Sequence, residues 1–326
     1  MTKKPRKILI IKTGYTETLC DEPYKEGKVS LGDVLRTTAL LHLYREDKVT
    51  WLTDKKAIPL LTGNCFIERI LEFTLTTVLQ LTYEHFDVVI NLEKNPGLCA
   101  LASAIESWQK YGFRFDAHTG KAEAYTGAIE ALYMAKDERS KKQDNNHWLH
   151  HLFAMVGHLW SNEGYLMGDL GVGSDKEYKH RLVGINWRVG NKFEGKSWNM
   201  DNWAVLTGLL QTEGMTWSVQ PDETTLEDYA RWIAAHTVIV SCDSLGLHMA
   251  MSMGKRIVGL FGSTEAKEIQ PYEQGIMLQA MGKLIIGTEE KGVWEIETED
   301  IAPSMDEHTP ERVLESIKTL LNWGVS

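Results

Sequence analysis

The stretch VIVSCDSLGLHMAMSMGKRIVGLFGSTE, residues 238–265, decides how the chain is read. An apolar run, Val238 to Val240, is followed by a segment long enough for a helix and then by a second apolar run, Ile257 to Phe261. Continuous apolar runs without alternation are what parallel strands covered on both faces require, so the stretch reads as a strand–helix–strand unit. The first run breaks at Cys242-Asp243-Ser244 and the second ends on Gly262-Ser263-Thr264. Polar residues therefore gather where the strands end, and open parallel sheets bind ligands beyond the carboxyl ends of their strands.

Working outward, the same alternation recurs. KILIIKTG, KVTWLTD and FDVVINLEKNPG read as strands in the N-terminal half, and LGDVLRTTALLHLY as a helix with Val34, Leu35, Thr38, Leu41 and Leu43 at helical spacing. Gly97 to Tyr111 reads as a further helix, and KKQDNNHWLHHLFAMVGHLW as another with a polar lead-in. Composition turns glycine-rich and charged around GDLGVGSDKEYKH, which marks a domain boundary. The second half restarts with the strand RLVGINWRVG, continues through WAVLTGLLQTEG, MTWSVQ and TLEDYARWIAAH, and ends in HTPERVLESIKTLLNW. There Thr309 is the cap, Pro310 the first helical residue, and Val313, Leu314, Ile317, Leu320 and Leu321 form one stripe. The expected fold class is α/β: two doubly wound parallel sheets wrapped by helices, residues 1–170 and 171–326, with a C-terminal helix free to pack back on the first domain.

Composition narrows the function classes. The chain has 326 residues, 43% hydrophobic and 25% charged, as in ordinary globular proteins. No apolar run reaches the roughly 20 residues of a membrane-spanning helix, and Ile8 to Ile11 reads as a first strand rather than a signal peptide. Cys20, Cys65, Cys99 and Cys242 form no C-x-x-C pair, which fits a reducing, cytoplasmic setting. A net charge of −10 argues against non-specific nucleic-acid binding, so an anionic ligand must be held by a local device.

The turn at Cys242 to Gly246 offers such a device: free amides at a helix N-terminus, the Ser244 hydroxyl, and His248 one turn on along the same face. Asp243 or Ser244 as an ordinary N-cap, with His248 a half-buried histidine, accounts for the same residues. Arg188 and Lys196, before and within NKFEGKSWNMDNW, are placed to neutralise a diphosphate, while Lys192 and Lys196 read equally as solvated loop lysines. Trp198 and Trp203 read as packing for the next helix. Asp33 at a helix start suits a general base, or else an N-cap paired with Arg36. Glu93 and Lys94 end a strand and touch a second substrate or pair in solvent. His147, His150 and His151 have the spacing of a metal set, with no acidic partner apparent in the sequence. A nicotinamide enzyme lacks its G-x-G-x-x-G after the first strand.

DSLGLHMAMSMGKRIVGLFGST resembles the Asp-Ser/Thr-Gly-x-x-His signature of glycosyltransferase family 9, the ADP-heptose:lipopolysaccharide heptosyltransferases. TTLEDYARWIAAHTVIVS, GKSWNMDNWAVLTGLL and LGDVLRTTALLHLYREDKVTWLTD are similar to other segments of that family. The resemblance implies a GT-B fold, two Rossmann-like domains facing across a cleft, and a metal-independent, cofactor-free, inverting transfer from a nucleotide sugar, ADP-heptose, to a hydroxyl of a lipopolysaccharide core or other surface glycan. Asp33 is then the general base; Arg188, Lys196, Asp243, Ser244, Leu245, Gly246 and His248 hold the donor; Glu93 and Lys94 meet the acceptor. The implied setting is cytoplasmic, with the inner-membrane surface as a peripheral contact. A sugar-nucleotide epimerase of the same fold and a catalytically silent nucleotide- or glycan-binding relative remain alternatives. The chain departs from the pattern at Leu245, where the family has glycine, at Arg256, where it has proline, and over Gly14 to Leu31, a longer loop that reshapes an acceptor site or forms a lid.

Overall fold

The computed structural model describes residues 4–15, 29–137, 143–172, 181–189, 195–222, 225–290, 293–300 and 303–322. Two compact units, Met1–Val172 and Gly173–Ser326, divide the chain. Most of the long loop after Gly14, residues 16–28, lies outside the described residues, as do Cys20 and Lys192.

In the first unit the elements run β1 (Lys7–Ile11), α1 (Leu31–Thr37), β2 (Lys48–Thr53), α2 (Ile58–Leu61), β3 (Ile67–Glu72), α3 (Leu75–Leu81), β4 (His85–Asn91), α4 (Pro96–Ala104), β5 (Glu106–Asp116), β6 (Lys121–Ala124), α5 (Ile129–Lys136) and α6 (Trp148–Met155). Among the described residues they form a sheet of order β3-β2-β1-β4-β5-β6, parallel except for β6. Ile8 to Ile11 are fully buried, as a strand covered on both faces must be. The order reverses between β1 and β4, so the two strands part at their carboxyl ends and leave a crevice. Lys12 to Gly14 and Leu92 to Lys94 lie at its mouth.

The second unit runs β7 (Arg181–Asn186), α7 (Met200–Thr212), β8 (Trp217–Val219), α8 (Leu226–Ala234), β9 (His236–Cys242), α9 (Leu245–Ser252), β10 (Arg256–Phe261), β11 (Gly275–Gln279), the hairpin β12 (Lys283–Glu290) and β13 (Val293–Asp300), and α10 (Pro310–Asn322). Its parallel sheet has the order β11-β10-β9-β7-β8. Here the reversal falls between β7 and β9, where Asn186 stands opposite Ser241. The stripe on α10 is spent within this unit: Val313, Leu314, Ile317 and Leu320 share a core with Trp203, Leu206 and Leu210 of α7. Each such side chain contributes about 1.5–3 kcal/mol by leaving water.

Three expectations change. The helix expected over Gly97 to Tyr111 ends at Ala104; Ile105 turns extended (ψ 131°), and the next eleven residues form β5, which pairs with the open edge of β4. The helix from Leu31 keeps α geometry only to Thr37 and tightens into a 3₁₀ segment, Thr38–Tyr44. Thr37 and Thr38 turn their hydroxyls back onto the carbonyls of Val34 and Leu35 at 2.7 and 2.6 Å, a local competition that bends helices. The histidine-rich helix begins at Trp148 and stops at Met155.

Gly112 in β5 sits at φ +83° with the Asn91 carbonyl oxygen 1.9 Å from where a Cβ would be. Gly112→Ala should lower the unfolding free energy by about 3 kcal/mol in a denaturant melt, whereas Gly120→Ala, at φ +70° in open space, should cost about 1 kcal/mol.

Candidate functional site

At the crevice of the second unit, β9 delivers Ser241 and Cys242 to the turn that starts α9 at Leu245. Ser244 occupies the N-cap position in extended geometry, yet its side chain makes no capping bond. It is drawn inward instead: the Asn186 side-chain amide donates to Ser244 Oγ at 2.8 Å and to Ser241 Oγ at 2.7 Å. The amides of Leu245 and Gly246 take no partner among the described residues, and the helix dipole adds its positive end there. Gly246 explains its own position. A Cβ there would lie 2.0 Å from the Tyr229 hydroxyl and 2.5 Å from Asn186 Nδ2, so α9 can approach the sheet only with glycine at its second residue.

Asp243 is the electrostatic centre. Lys196 Nζ donates to its Oδ2 at 2.6 Å, and His248 Nε2 lies 3.9 Å from Oδ1. Burial alone would push this carboxyl up, but the Lys196 charge and hydrogen bond, with His248 behind them, hold it below the usual carboxylate range. Asp243 thus fixes Lys196 beside the uncapped helix. Cys242 is fully buried and its thiol is pushed up to about 12 by that burial, so it supplies no thiolate at neutral pH. Arg188 is held apart from this group, ion-paired with Asp222 and stacked over Trp187 at 4.8 Å. Leu245 is half-buried, and Trp198 and Trp203 are buried edge to face at 4.7 Å, packing as expected.

At the crevice of the first unit, Asp33 is the third residue of α1, within its first turn rather than at its cap. It pairs with Arg36 at 2.9 Å, and the Arg36 guanidinium lies 5.0 Å over the Trp148 ring. Asp33, Arg36, Lys12, Lys94 and Trp148 line one depression. Lys94 stacks on Phe113 at 5.4 Å. Glu93, expected beside Lys94 at the acceptor, turns the other way and is fully buried. Its Oε1 accepts from the amides of Thr13 and Gly14, both at 2.7 Å, from Thr13 Oγ1 at 3.1 Å, and lies 3.5 Å from Lys12 Nζ. Glu93 therefore ties the end of β1 to the end of β4. Lys12, Trp148, Asn186 and Tyr229 escaped the sequence reading; only the position of Lys12 at a strand end signalled its place.

The histidines have other work. His147 and His150 pack against Trp160 at 4.3 and 5.4 Å, and burial, aided by the charges of His150 and His151, pushes His147 down to about 4. His151 bonds Asp144 at 2.5 Å, the acidic partner that the sequence did not reveal. Among the described residues, no three His, Cys, Asp or Glu are grouped to hold a metal.

This geometry can be compared with known proteins. Residues 219–283 match the model of glycosyltransferase family 9 (heptosyltransferase). The matched segment runs from the end of β8 to the start of β12 and contains the Asp243 to His248 turn, so the resemblance read from the sequence holds. Among solved structures, a family 9 glycosyl transferase from Veillonella parvula superposes with a TM-score of 0.70 at 16% identity, covering 99% of both chains. E. coli heptosyltransferase WaaC with ADP gives 0.62 at 14%, covering 96% of this chain and 99% of that one. E. coli ADP-heptose lps heptosyltransferase II gives 0.62 at 15%, covering 98% and 100%. At such identities the likeness is one of fold, and the fold is that of the GT-B heptosyltransferases. No curated protein matches the chain by sequence.

Two outcomes follow from the geometry of the Asp243 to His248 turn. Asp243→Asn should destabilise the protein by roughly 3 kcal/mol at pH 7, because it strands Lys196 without its counter-charge. Since the Asp243 pKa is depressed, that stabilisation is present above the ordinary carboxylate pKa of about 3.9 and is lost as pH falls through the lower folded value, so melts of the two proteins should converge in acid. Gly246→Ala should lower the melting temperature, because its Cβ would meet the Tyr229 hydroxyl and Asn186, while Leu245→Ala, at a half-buried position, should change stability little.

Proposed function

We propose that this chain is an inverting glycosyltransferase that needs no metal and moves a heptose or related sugar from a nucleotide sugar, ADP-heptose foremost, to a hydroxyl of a lipopolysaccharide core or another surface glycan. The observation that carries the reading is the lysine held by Asp243 beside an uncapped helix N-terminus, inside the segment that matches the family model. Two of the similar structures bind ADP or its 2-deoxy-2-fluoro heptose conjugate, which favours an ADP donor here.

In this reading the donor diphosphate lies against the amides of Leu245 and Gly246, the Ser244 hydroxyl and Lys196. The acceptor hydroxyl gives its proton to the Asp33 carboxylate while its oxygen attacks the anomeric carbon from the face opposite the diphosphate. The carbon–oxygen bond to the diphosphate breaks, its electron pair leaves with the nucleotide, and the anomeric configuration inverts. Negative charge grows on the departing oxygen, where preorganised donors contribute most. Lys196 is freed from Asp243 in proportion as it engages the phosphate. Arg36 pairs with Asp33 at the depression that both line with Lys12 and Lys94. No described helix is long and apolar enough to cross a membrane, so contact with an inner-membrane surface would be peripheral. The work is placed in the cytoplasm, where nucleotide sugars are made.

The test is a donor panel of ADP-heptose and other nucleotide sugars with candidate acceptors, read by mass spectrometry. Asp33→Asn should lower transfer about 10²–10⁴-fold while leaving ADP affinity within about twofold, since a base acts on the acceptor. Loss of ADP binding in that variant, or transfer at the wild-type rate, contradicts the assignment. Epimerised or free sugar formed without acceptor points to the epimerase instead.

A further inference from the structure

The second unit contains a buried polar chain that the reading above leaves unused. Asn186 ends β7 and is wholly buried, as is Ser241, its neighbour across to β9. Tyr229, from α8, donates its hydroxyl to Asn186 Oδ1 at 2.5 Å. Burial drives the Tyr229 phenol well above its ordinary pKa, against the pull of the Asn186 bond, so this group is a proton donor at any working pH. The hydrogen bonds set the carbonyl end of the Asn186 amide toward the tyrosine and its NH₂ end toward the two serines.

Proton bookkeeping follows from that orientation. Ser241 spends its one hydroxyl proton on the carbonyl of Cys242 at 2.6 Å. The two amide protons of Asn186 go to Ser241 Oγ and Ser244 Oγ. Ser244 thus has a lone pair occupied from below while its own proton remains. Ser241 Oγ is 3.2 Å from it, beyond the usual O–H···O range. The Ser244 hydroxyl is only half-buried and sits beside the unpartnered amides of Leu245 and Gly246.

We propose that Asn186, oriented by Tyr229, is a positioning residue that fixes Ser244 as a hydrogen-bond donor, so that Ser244 joins the open amides of the turn in holding a phosphate group. The Ser244 hydroxyl and the amides of Leu245 and Gly246 are donors at one helix start, and the neighbouring Asp243 carboxylate is engaged by Lys196, an arrangement that favours an oxyanion over a hydroxyl or amide. The proposal rests on the donor-site reading above. It also gives the unusual order Leu245-Gly246 a reason: the tyrosine and asparagine lie directly under the second helical residue, where only glycine fits.

Calorimetric titration of the full chain with ADP and with adenosine tests it, using wild type, Tyr229→Phe, Ser244→Ala and the double variant, each checked by thermal melting. Tyr229→Phe keeps the ring and removes only the hydroxyl that orients the amide. Each single substitution should weaken ADP about five- to tenfold and leave adenosine unchanged, because the loss is confined to a phosphate contact. The double variant should bind ADP no more weakly than Ser244→Ala, because Tyr229 acts through Ser244. The idea is overturned if Tyr229→Phe binds ADP like wild type, if ADP and adenosine weaken equally, or if the two losses add. Wild type that binds none of ADP, UDP and GDP sinks the nucleotide-sugar reading together with this role, whereas ADP binding indifferent to Tyr229 sinks this role alone.

Discussion

The second unit is organised by one steric constraint: α9 begins so close to the floor of its sheet that its second residue has no room for a Cβ. Tyr229 and Asn186 occupy that space, and Gly246 accepts them. Because the helix is drawn in, Ser244 meets Asn186 instead of capping the helix, and the first amides of α9 stay open. With those amides open, the positive end of the helix and a lysine lie at one place. Asp243, the last residue that can turn inward before Ser244, holds Lys196 at that place.

Both units solve the same problem with different sheets. In each, the strand order reverses and two neighbouring strands part, β1 from β4 in one and β7 from β9 in the other. Each crevice is closed at its base by a buried polar residue bonded across the gap. Glu93 reaches from the end of β4 to the amides that follow β1, and Asn186 reaches from β7 to Ser241 within β9 and Ser244 just beyond it. Breaking either set of bonds would leave buried donors and acceptors unpaired, so each residue specifies one geometry for the loops above it. The side chains that carry charge then sit on those fixed loops.

Much of this was legible in the sequence because it depends on local pattern. The unbroken apolar runs at β1 and β9, the Thr309-Pro310 start of α10 and its apolar stripe all follow from periodicity and capping. The 3₁₀ turn after Thr37 was not legible because apolar spacing does not register threonine hydroxyls bonding back to carbonyls three residues earlier, and the strand β5 was not because the pull of an open β4 edge is a tertiary outcome. At the sites the limit is distance along the chain. Asp243, Ser244 and Lys196 stood out by position, but the bond that aims Ser244 joins residues 58 apart, and Tyr229 reaches Asn186 from 43 residues away. Arg188 and Glu93 were placed at the correct strand ends, yet their directions were set by Asp222 and by the Thr13 and Gly14 amides. Arg256, which replaces the family proline, reaches the Leu321 carbonyl at the end of α10, 65 residues on, where a cation complements the helix dipole.

The account stands or falls on where a diphosphate sits. Diffraction from crystals grown with ADP measures this directly. The predicted density places the diphosphate within about 3 Å of the Leu245 and Gly246 amides and of Ser244 Oγ, with the Lys196 ammonium turned toward it. Nucleotide bound elsewhere on the second unit, with Lys196 still closed on Asp243 and the start of α9 bare, would contradict it.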